Sequence, residues 1–334
     1  MDFLIHIRRI IAMPAVFVIL LLSTLTGHAQ DYPNRPIKVI APFSAGSPGD
    51  ALLRIVTEKL ASQLGQAIVV DNKPGANAII GMQAAARAAP DGYTLVLAPD
   101  ASIVANPYLY AKLPYAPSKD FEPISMLGAW TQFLLVPQEL PVHSLTELIA
   151  LSKASPGKLT YASSGTGSSQ HINFEAFKRQ AGVAITHVPF KGVSDAYNAL
   201  LSNQVSMFFL PDGFVAGYIH SGKLRPLAVA GLTPQSHSSL FPDVPTYAQA
   251  GLAGFEPLPT WTALMAPAGT PKEIIQRLYM EVARAVGAPD VRARLAAMAV
   301  EPKVSGSPAE FEQFIQEQSK KWERAIREAG VQPQ

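Results

Sequence analysis

The sequence predicts an α/β protein of two lobes, each a doubly wound, mainly parallel sheet with flanking helices, with a ligand cleft between them. Three observations carry this. Short apolar, strand-like stretches alternate with segments of helical spacing along the chain. The alternation starts afresh at Phe133. Beyond Gly251 a single strand, Trp261–Ala266, is followed only by helices, too few strands for a sheet of its own, so this tail is expected to pack back on the first lobe. The expected division is residues 30–131 plus 252–334 as lobe 1 and residues 132–251 as lobe 2, with crossings near 130–133 and 250–254. Ligands of such proteins sit in the interlobe cleft, which can close over them.

The N-terminus has the parts of a secretory signal. His6–Arg9 form a basic start, Ile10–Leu25 an apolar core, and Gly27-His28-Ala29 places small residues where a signal peptidase inspects them. The apolar run is broken by Pro14 and is short for a span of about 20 residues. Residues 1–29 are expected to be removed, with cleavage after Ala29.

In lobe 1, Ile37–Ala41 reads as a buried strand that runs into Pro42–Asp50, a loop carrying Phe43, Ser44, Ala45, Gly46 and Ser47. A helix follows with Leu53, Val56, Leu60 and Leu64 at helical spacing. Asp50 stands at the helix start, where a carboxylate serves either the helix dipole or a ligand. Ala67–Val70 and Thr94–Ala98 read as further strands, separated by a helix that follows Pro74-Gly75-Ala76-Asn77.

In lobe 2, Phe133–Val136 reads as a strand and Ser144-Leu145-Thr146-Glu147 as a capping box. The most informative stretch follows. Leu159–Ala162 has strand composition, Ser163-Ser164-Gly165-Thr166-Gly167-Ser168 is a small-residue loop, and a helix begins at Ser169. Such a joint leaves backbone N–H groups at the positive end of the helix dipole for a carboxylate or phosphate. Gly165 and Gly167 permit close approach, and the hydroxyls of Ser163, Ser164, Thr166, Ser168 and Ser169 add donors. The plainer alternative is a serine-rich loop in which Ser168 or Ser169 caps the helix. His171 reads as a pocket-edge or packing residue. Ala184–Val188, Val205–Phe209 and Leu224–Ala230 complete the strands, and Asp212 follows the second of these, where α/β sheets place ligand residues. In the tail, Thr270-Pro271-Lys272-Glu273 and Ser307-Pro308-Ala309-Glu310 read as capping boxes.

Several chemistries are excluded. No Gly-x-Ser-x-Gly elbow passes through Ser163, Ser168 or Ser169, and Gln170 stands where a dinucleotide fingerprint needs its third glycine. The chain has no cysteine, and its seven histidines are scattered, so neither metal nor cofactor is expected. A formal charge of +2 gives no reason to expect nucleic acid.

Taken together, the motifs resemble the periplasmic solute receptors of tripartite tricarboxylate transporters, the Bug family. The resemblance spans the mature chain and rests on YPNRPIKVIAPFSAG at 32–46, VVDNKPGAN at 69–77, APDGYTL at 89–95, NPYLYAKLPYAPSKDFEPI at 106–124, YASSGTGSSQH at 161–171, HVPFKG at 187–192, GKLRPLAVAG at 222–231 and FPDVPTYAQAGL at 241–252. It implies a monomeric, non-enzymatic periplasmic receptor of Venus-flytrap fold that captures a small organic carboxylate for a membrane transporter. It also implies that Pro42–Asp50 and Ser163–Ser169 hold the carboxylate, partly through water. The chain departs from the usual pattern at Ser47 (a second glycine is usual), Gly49 (a hydroxyl residue), Ala78 (glycine) and Asp100 (an uncharged hydroxyl residue). Asp100 is expected to be paired within the protein, to accept a hydrogen bond from a ligand amino, amide or hydroxyl group, or to lie outside the cleft. Two other functions fit the same cleft: a ligand sensor for a membrane histidine kinase, and an enzyme acting on carboxylates, which lacks a complete catalytic set here.

Overall fold

The computed structural model describes residues 32–333, so the expected signal segment and its cleavage point lie outside the described residues. The chain builds two α/β lobes. The first half of the first lobe runs β1 (Ile37–Ala41), α1 (Pro48–Leu64), β2 (Ile68–Asn72), α2 (Ile79–Ala86), β3 (Thr94–Pro99), three short helices α3 (Asp100–Val104), α4 (Asn106–Leu109) and α5 (Pro117–Asp120), then β4 (Phe121–Trp130). The second lobe runs β5 (Gln132–Pro137), α6 (Leu145–Ala154), β6 (Thr160–Ser163), α7 (Ser169–Ala181), β7 (Thr186–Pro189), α8 (Val193–Leu201), β8 (Phe208–Pro211), α9 (Asp212–His220) and β9 (Leu224–Ala230). The tail adds β10 (Thr260–Pro267), α10 (Lys272–Gly287), α11 (Pro289–Ala296), β11 (Val300–Pro302) and α12 (Pro308–Glu328).

The first sheet has the order β11-β4-β10-β3-β1-β2. β1 pairs in parallel with β2 and β3, whereas β10 runs antiparallel to both β3 and β4. The tail strand is thus inserted into the middle of the sheet, where Trp261, Ala263 and Leu264 are buried. Apolar layers cover both faces: Leu52, Leu53, Val56 and Leu60 of α1 lie in one, and Phe311 and Trp322 of α12 in the other.

In the second lobe β5 is antiparallel to β8 and β9, and β6 pairs in parallel with β7. A parallel bridge between Tyr161 and Met207 joins the two pieces into one sheet, so all strands but β5 share a direction. The exception has a covalent cause. Only Thr131 separates β4 from β5, so β5 enters its sheet as a continuation of a strand from the other one.

The sequence pattern misses β4, whose run contains Pro123 and Gly128 and whose pairing with β10 shifts register twice. It also misses β11 and the short helices α3–α5. Two of the three capping boxes form their N-cap bond, with Ser144 Oγ accepting from Glu147 N and Ser307 Oγ from Glu310 N, while Glu147 Oε2 accepts from His143 N rather than from the N-cap. Thr270 instead donates its hydroxyl to Pro267 O at 2.7 Å, and α10 begins at Lys272 behind the N-cap Pro271 without a side-chain cap.

Candidate functional site

Helix starts from both lobes converge on one cavity of about 400 Å³. Pro48 and Gly49 open α1, Ser169 and Gln170 open α7, Val193 opens α8, and Phe214 stands in the first turn of α9; all line it. Each helix leaves N–H groups without intrahelical partners at its start. At α1, α8 and α9 the N-cap residues Ser47, Gly192 and Pro211 make no side-chain capping bond, although Asp212 Oδ1 takes Gly213 N in the first turn of α9. The Ser47 hydroxyl is buried in the cavity wall with no hydrogen-bond partner among the described residues. The rest of the wall is largely aromatic, with Phe43, Trp130, Phe214 and Trp261. Among the described residues it holds no lysine or arginine, and Asp100 is its one ionisable residue.

Asp50 explains how the first loop holds its shape. It is buried, and its Oδ2 accepts from Gly46 N and Arg54 Nε, both at 2.9 Å, while Oδ1 accepts from Asn72 Nδ2 at 2.8 Å. Hydrogen bonds from Arg54 and Asn72 outweigh the burial that pushes the other way, so the carboxyl lies below its ordinary range. With both oxygens taken, Asp50 positions the loop rather than facing the cavity. Phe43 and Ser47 reach the cavity wall, and Ser44, Ala45 and Gly46 are exposed on the loop.

The second loop spends most of its hydroxyls on itself. Ser163 Oγ lies 2.6 Å from His187 Nε2 and donates to Gly165 O. Ser164 Oγ donates to Gln170 Oε1 at 3.0 Å, and Ser168 Oγ accepts from His171 N as the N-cap of α7. The helix-capping reading of Ser168 is therefore correct, and the N–H groups of Gly165, Gly167 and Ser168 are also donated within the loop, to Ser163 Oγ, His171 Nδ1 and Gly165 O. Ser164, Thr166, Gly167 and Ser168 line a second, smaller cavity with Asn77 and Tyr110, while Ser169 lines the larger one. Gly165 and Gly167 have φ of 126° and 83°, the left-handed region that favours glycine.

His171 lies behind this loop and holds it: Gly167 N donates to its Nδ1 at 3.1 Å. Its ring stacks on His187 at 4.2 Å, and Tyr161 stacks on His187 at 4.8 Å. Desolvation lowers the pKa of both histidines, that of His187 to about 4. The neutral rings leave Nδ1 of His171 free to accept.

Asp212 is buried at the start of α9, accepting from Thr131 Oγ1 at 2.5 Å, Ser238 Oγ at 2.6 Å and Gly213 N at 2.9 Å. It ties the crossing residue Thr131 to lobe 2 and has no free oxygen for a ligand. Asp100, in contrast, is in the wall. It opens α3, is 7% exposed, and faces the backbone N–H groups of Ala101 and Trp261. Burial pushes its carboxyl up to about 7 despite those two bonds.

The sequence did not indicate Trp130, Gln132, Gln170, Val193 or Phe214. The last two carried a usable signal: large apolar residues at helix starts, where Val193 is 38% and Phe214 49% exposed rather than buried.

Comparison with known proteins agrees with this architecture. Residues 52–331 match the tripartite tricarboxylate transporter family receptor, TctC. The protein BugT of Bordetella pertussis is 34% identical over 327 residues, 98% of this chain and 99% of its own length. An R. palustris protein solved with adipate superposes with a TM-score of 0.79 at 30% identity, over 91% of this chain and 100% of that one. MatC of Rhodopseudomonas palustris, solved with bound malate, gives 0.73 at 32% identity, over 88% and 100%. The chain described here belongs to the tripartite tricarboxylate transporter receptor family.

Proposed function

We propose that this protein is an extracytoplasmic receptor that captures a small organic carboxylate between its lobes and delivers it to a tripartite tricarboxylate-type membrane transporter. The observation that carries the reading is the convergence of uncapped helix starts, with the free Ser47 hydroxyl, on an aromatic-walled cavity. N–H groups at helix starts bind carboxylates, and apolar walls take an aliphatic or aromatic body. Adipate and malate in two relatives support the class of ligand. The ligand groups on this reading are Phe43, Ser47, Asp100, Ser169 and the backbone of Ser163–Ser169, with Asp50, His171 and Asp212 holding the loops in place. Residues 30–131 with 252–334 form one lobe and residues 132–251 the other, joined through Thr131 and the segment before β10.

The receptor acts as a monomer in the periplasm after cleavage behind Ala29, and it binds without turnover. A thermal-shift screen of small carboxylates tests the core of this reading, because a ligand bound only by the folded state raises the melting temperature. A hit recovered chemically unchanged after long incubation supports capture, whereas conversion in proportion to protein concentration supports an enzyme. Delivery is tested by uptake into cells with and without the membrane subunits. Intact mass of periplasmic protein tests the cleavage, and a mass that retains Met1–Ala29 overturns it.

A further inference from the structure

A carboxylate that shares a cavity wall with aromatic rings and no cation is expensive unless something else neutralises it. Asp100 is in that position. It is more than nine-tenths buried, it lines the interlobe cavity, and no lysine or arginine stands on the same wall. Its neighbours in the protein are two backbone N–H groups, Ala101 and Trp261, and no side chain bonds to it among the described residues. The contrast with the other buried aspartates is informative. Asp50 has the Arg54 guanidinium and Asn72, and Asp212 has two hydroxyls and an N–H, so each is satisfied within the protein.

The surroundings of Asp100 suit a positive charge from outside. Phe43 and Trp130 of the same lobe line the same cavity, and aromatic rings attract cations. Helix starts that suit an anion line the wall as well, those of α7, α8 and α9 in the other lobe and that of α1 in the lobe of Asp100. Among the described lining residues only the Asp100 side of the cavity has a carboxylate, so a cation is favoured there and not at the starts in lobe 2.

Resting on the receptor reading above, we infer that the ligand is a zwitterion whose carboxylate docks on the helix starts of lobe 2 while an ammonium or related cationic donor, at the far end of a short chain, pairs with Asp100. Neutralisation by such a group removes the cost of burying Asp100, whose carboxyl otherwise retains its proton to about pH 7. A dicarboxylate offers a second negative charge to the same position and is disfavoured.

The test is calorimetric titration of the wild type and of Asp100→Asn with matched straight-chain probes. These are the unsubstituted monocarboxylate and its ω-amino, ω-hydroxy and dicarboxylate analogues, at lengths from butanoate to hexanoate. At the best length the wild type is expected to prefer the ω-amino acid over the unsubstituted acid by about 10- to 100-fold, the range for a hydrogen bond to a charged group. Asp100→Asn should abolish that preference while binding the dicarboxylate as well as the wild type or better, which also establishes that the variant is folded. Wild-type affinity for the dicarboxylate or the ω-hydroxy acid equal to that for the ω-amino acid overturns the inference. So does an equal loss of ω-amino acid and dicarboxylate binding in the variant. Binding of dicarboxylates but not ω-amino acids removes this inference alone, whereas failure of every carboxylate removes the receptor reading with it.

Discussion

Ser169→Asp isolates the electrostatics of the second loop. Ser169 is the first residue of α7 and lines the larger cavity, and its hydroxyl makes only a 3.5 Å contact with Gln170 Oε1. An aspartate there retains the helix start and gains about 0.3–1 kcal/mol from the dipole, so the folded state loses nothing. It also places a negative charge beside the N–H groups proposed to take the ligand carboxylate. For a separation of about 5 Å and an effective dielectric between roughly 20 and 40, Coulomb's law gives about 2–3 kcal/mol of repulsion. Affinity should fall roughly 30- to 150-fold. Ser169→Asn has nearly the same shape without the charge and should cost less than about fivefold, since it disturbs one weak contact. Titration calorimetry gives the affinities, and thermal melts of the unliganded proteins check that stability is unchanged. Equal affinities for the two variants would refute the placement of the anion at this helix start.

Three further outcomes are expected. Phe214→Ala should lower affinity by about tenfold, the effect of losing an apolar wall that ligand binding completes, yet change the apo melting temperature little because the ring is already 49% exposed. Ala78 has φ of 70°, in a run with Ala76 and Asn77 that are also left-handed, so Ala78→Gly should hold or raise the melting temperature, whereas Ala61→Gly inside α1 should cost about 1 kcal/mol. His187 has its pKa lowered to about 4 by desolvation, so between pH 6.5 and 4 the unfolded chain takes up a proton that the folded one refuses, and stability falls as pH falls. Melts across that range should show a shallower acid-side loss for His187→Gln than for the wild type. Parallel curves would mean that the histidine is not the group responsible.

The joints between strands and helices were legible because they depend on local chemistry. Small residues mark Pro42–Asp50 and Ser163–Ser168, and a hydroxyl three residues before a glutamate marked the starts of α6 and α12. The Ala78 departure also has a local explanation, since the backbone there takes the conformation that glycine tolerates best. What could not be read was set by tertiary pairing. Pro123 and Gly128 disguise β4, which persists as a strand because β10 and β11 flank it. The hydroxyls of the serine loop looked like ligand donors, but partners distant in sequence claim them, as His187 does for Ser163. Aspartates were the hardest case. Asp50, Asp100 and Asp212 all stand at helix starts, and only their neighbours in space divide them into two that lock loops and one that faces the cavity.

The absence of a cationic side chain from the cavity wall among the described residues suits the proposed receptor, which must release its cargo. A buried lysine or arginine would carry a desolvation cost of several kcal/mol whenever the cleft stood empty. Helix starts avoid this, because their N–H groups exist in any case and water satisfies them between ligands. The distribution of caps agrees in part, because α7 lines the cavity and is nevertheless capped by Ser168. α6 and α12, which do not line the cavity, have Ser144 and Ser307 bonded across their first turns. α1, α8 and α9, which do line it, begin without such a bond. A missing cap alone marks nothing, since α10 also begins without one and lies away from the cavity. The informative feature is that three uncapped starts from two lobes meet in one place, so that closure of the lobes brings their partial charges to the same anion. No single one of them supplies more than about 1 kcal/mol, and on the proposed reading it is their convergence that makes capture both selective for carboxylate and reversible.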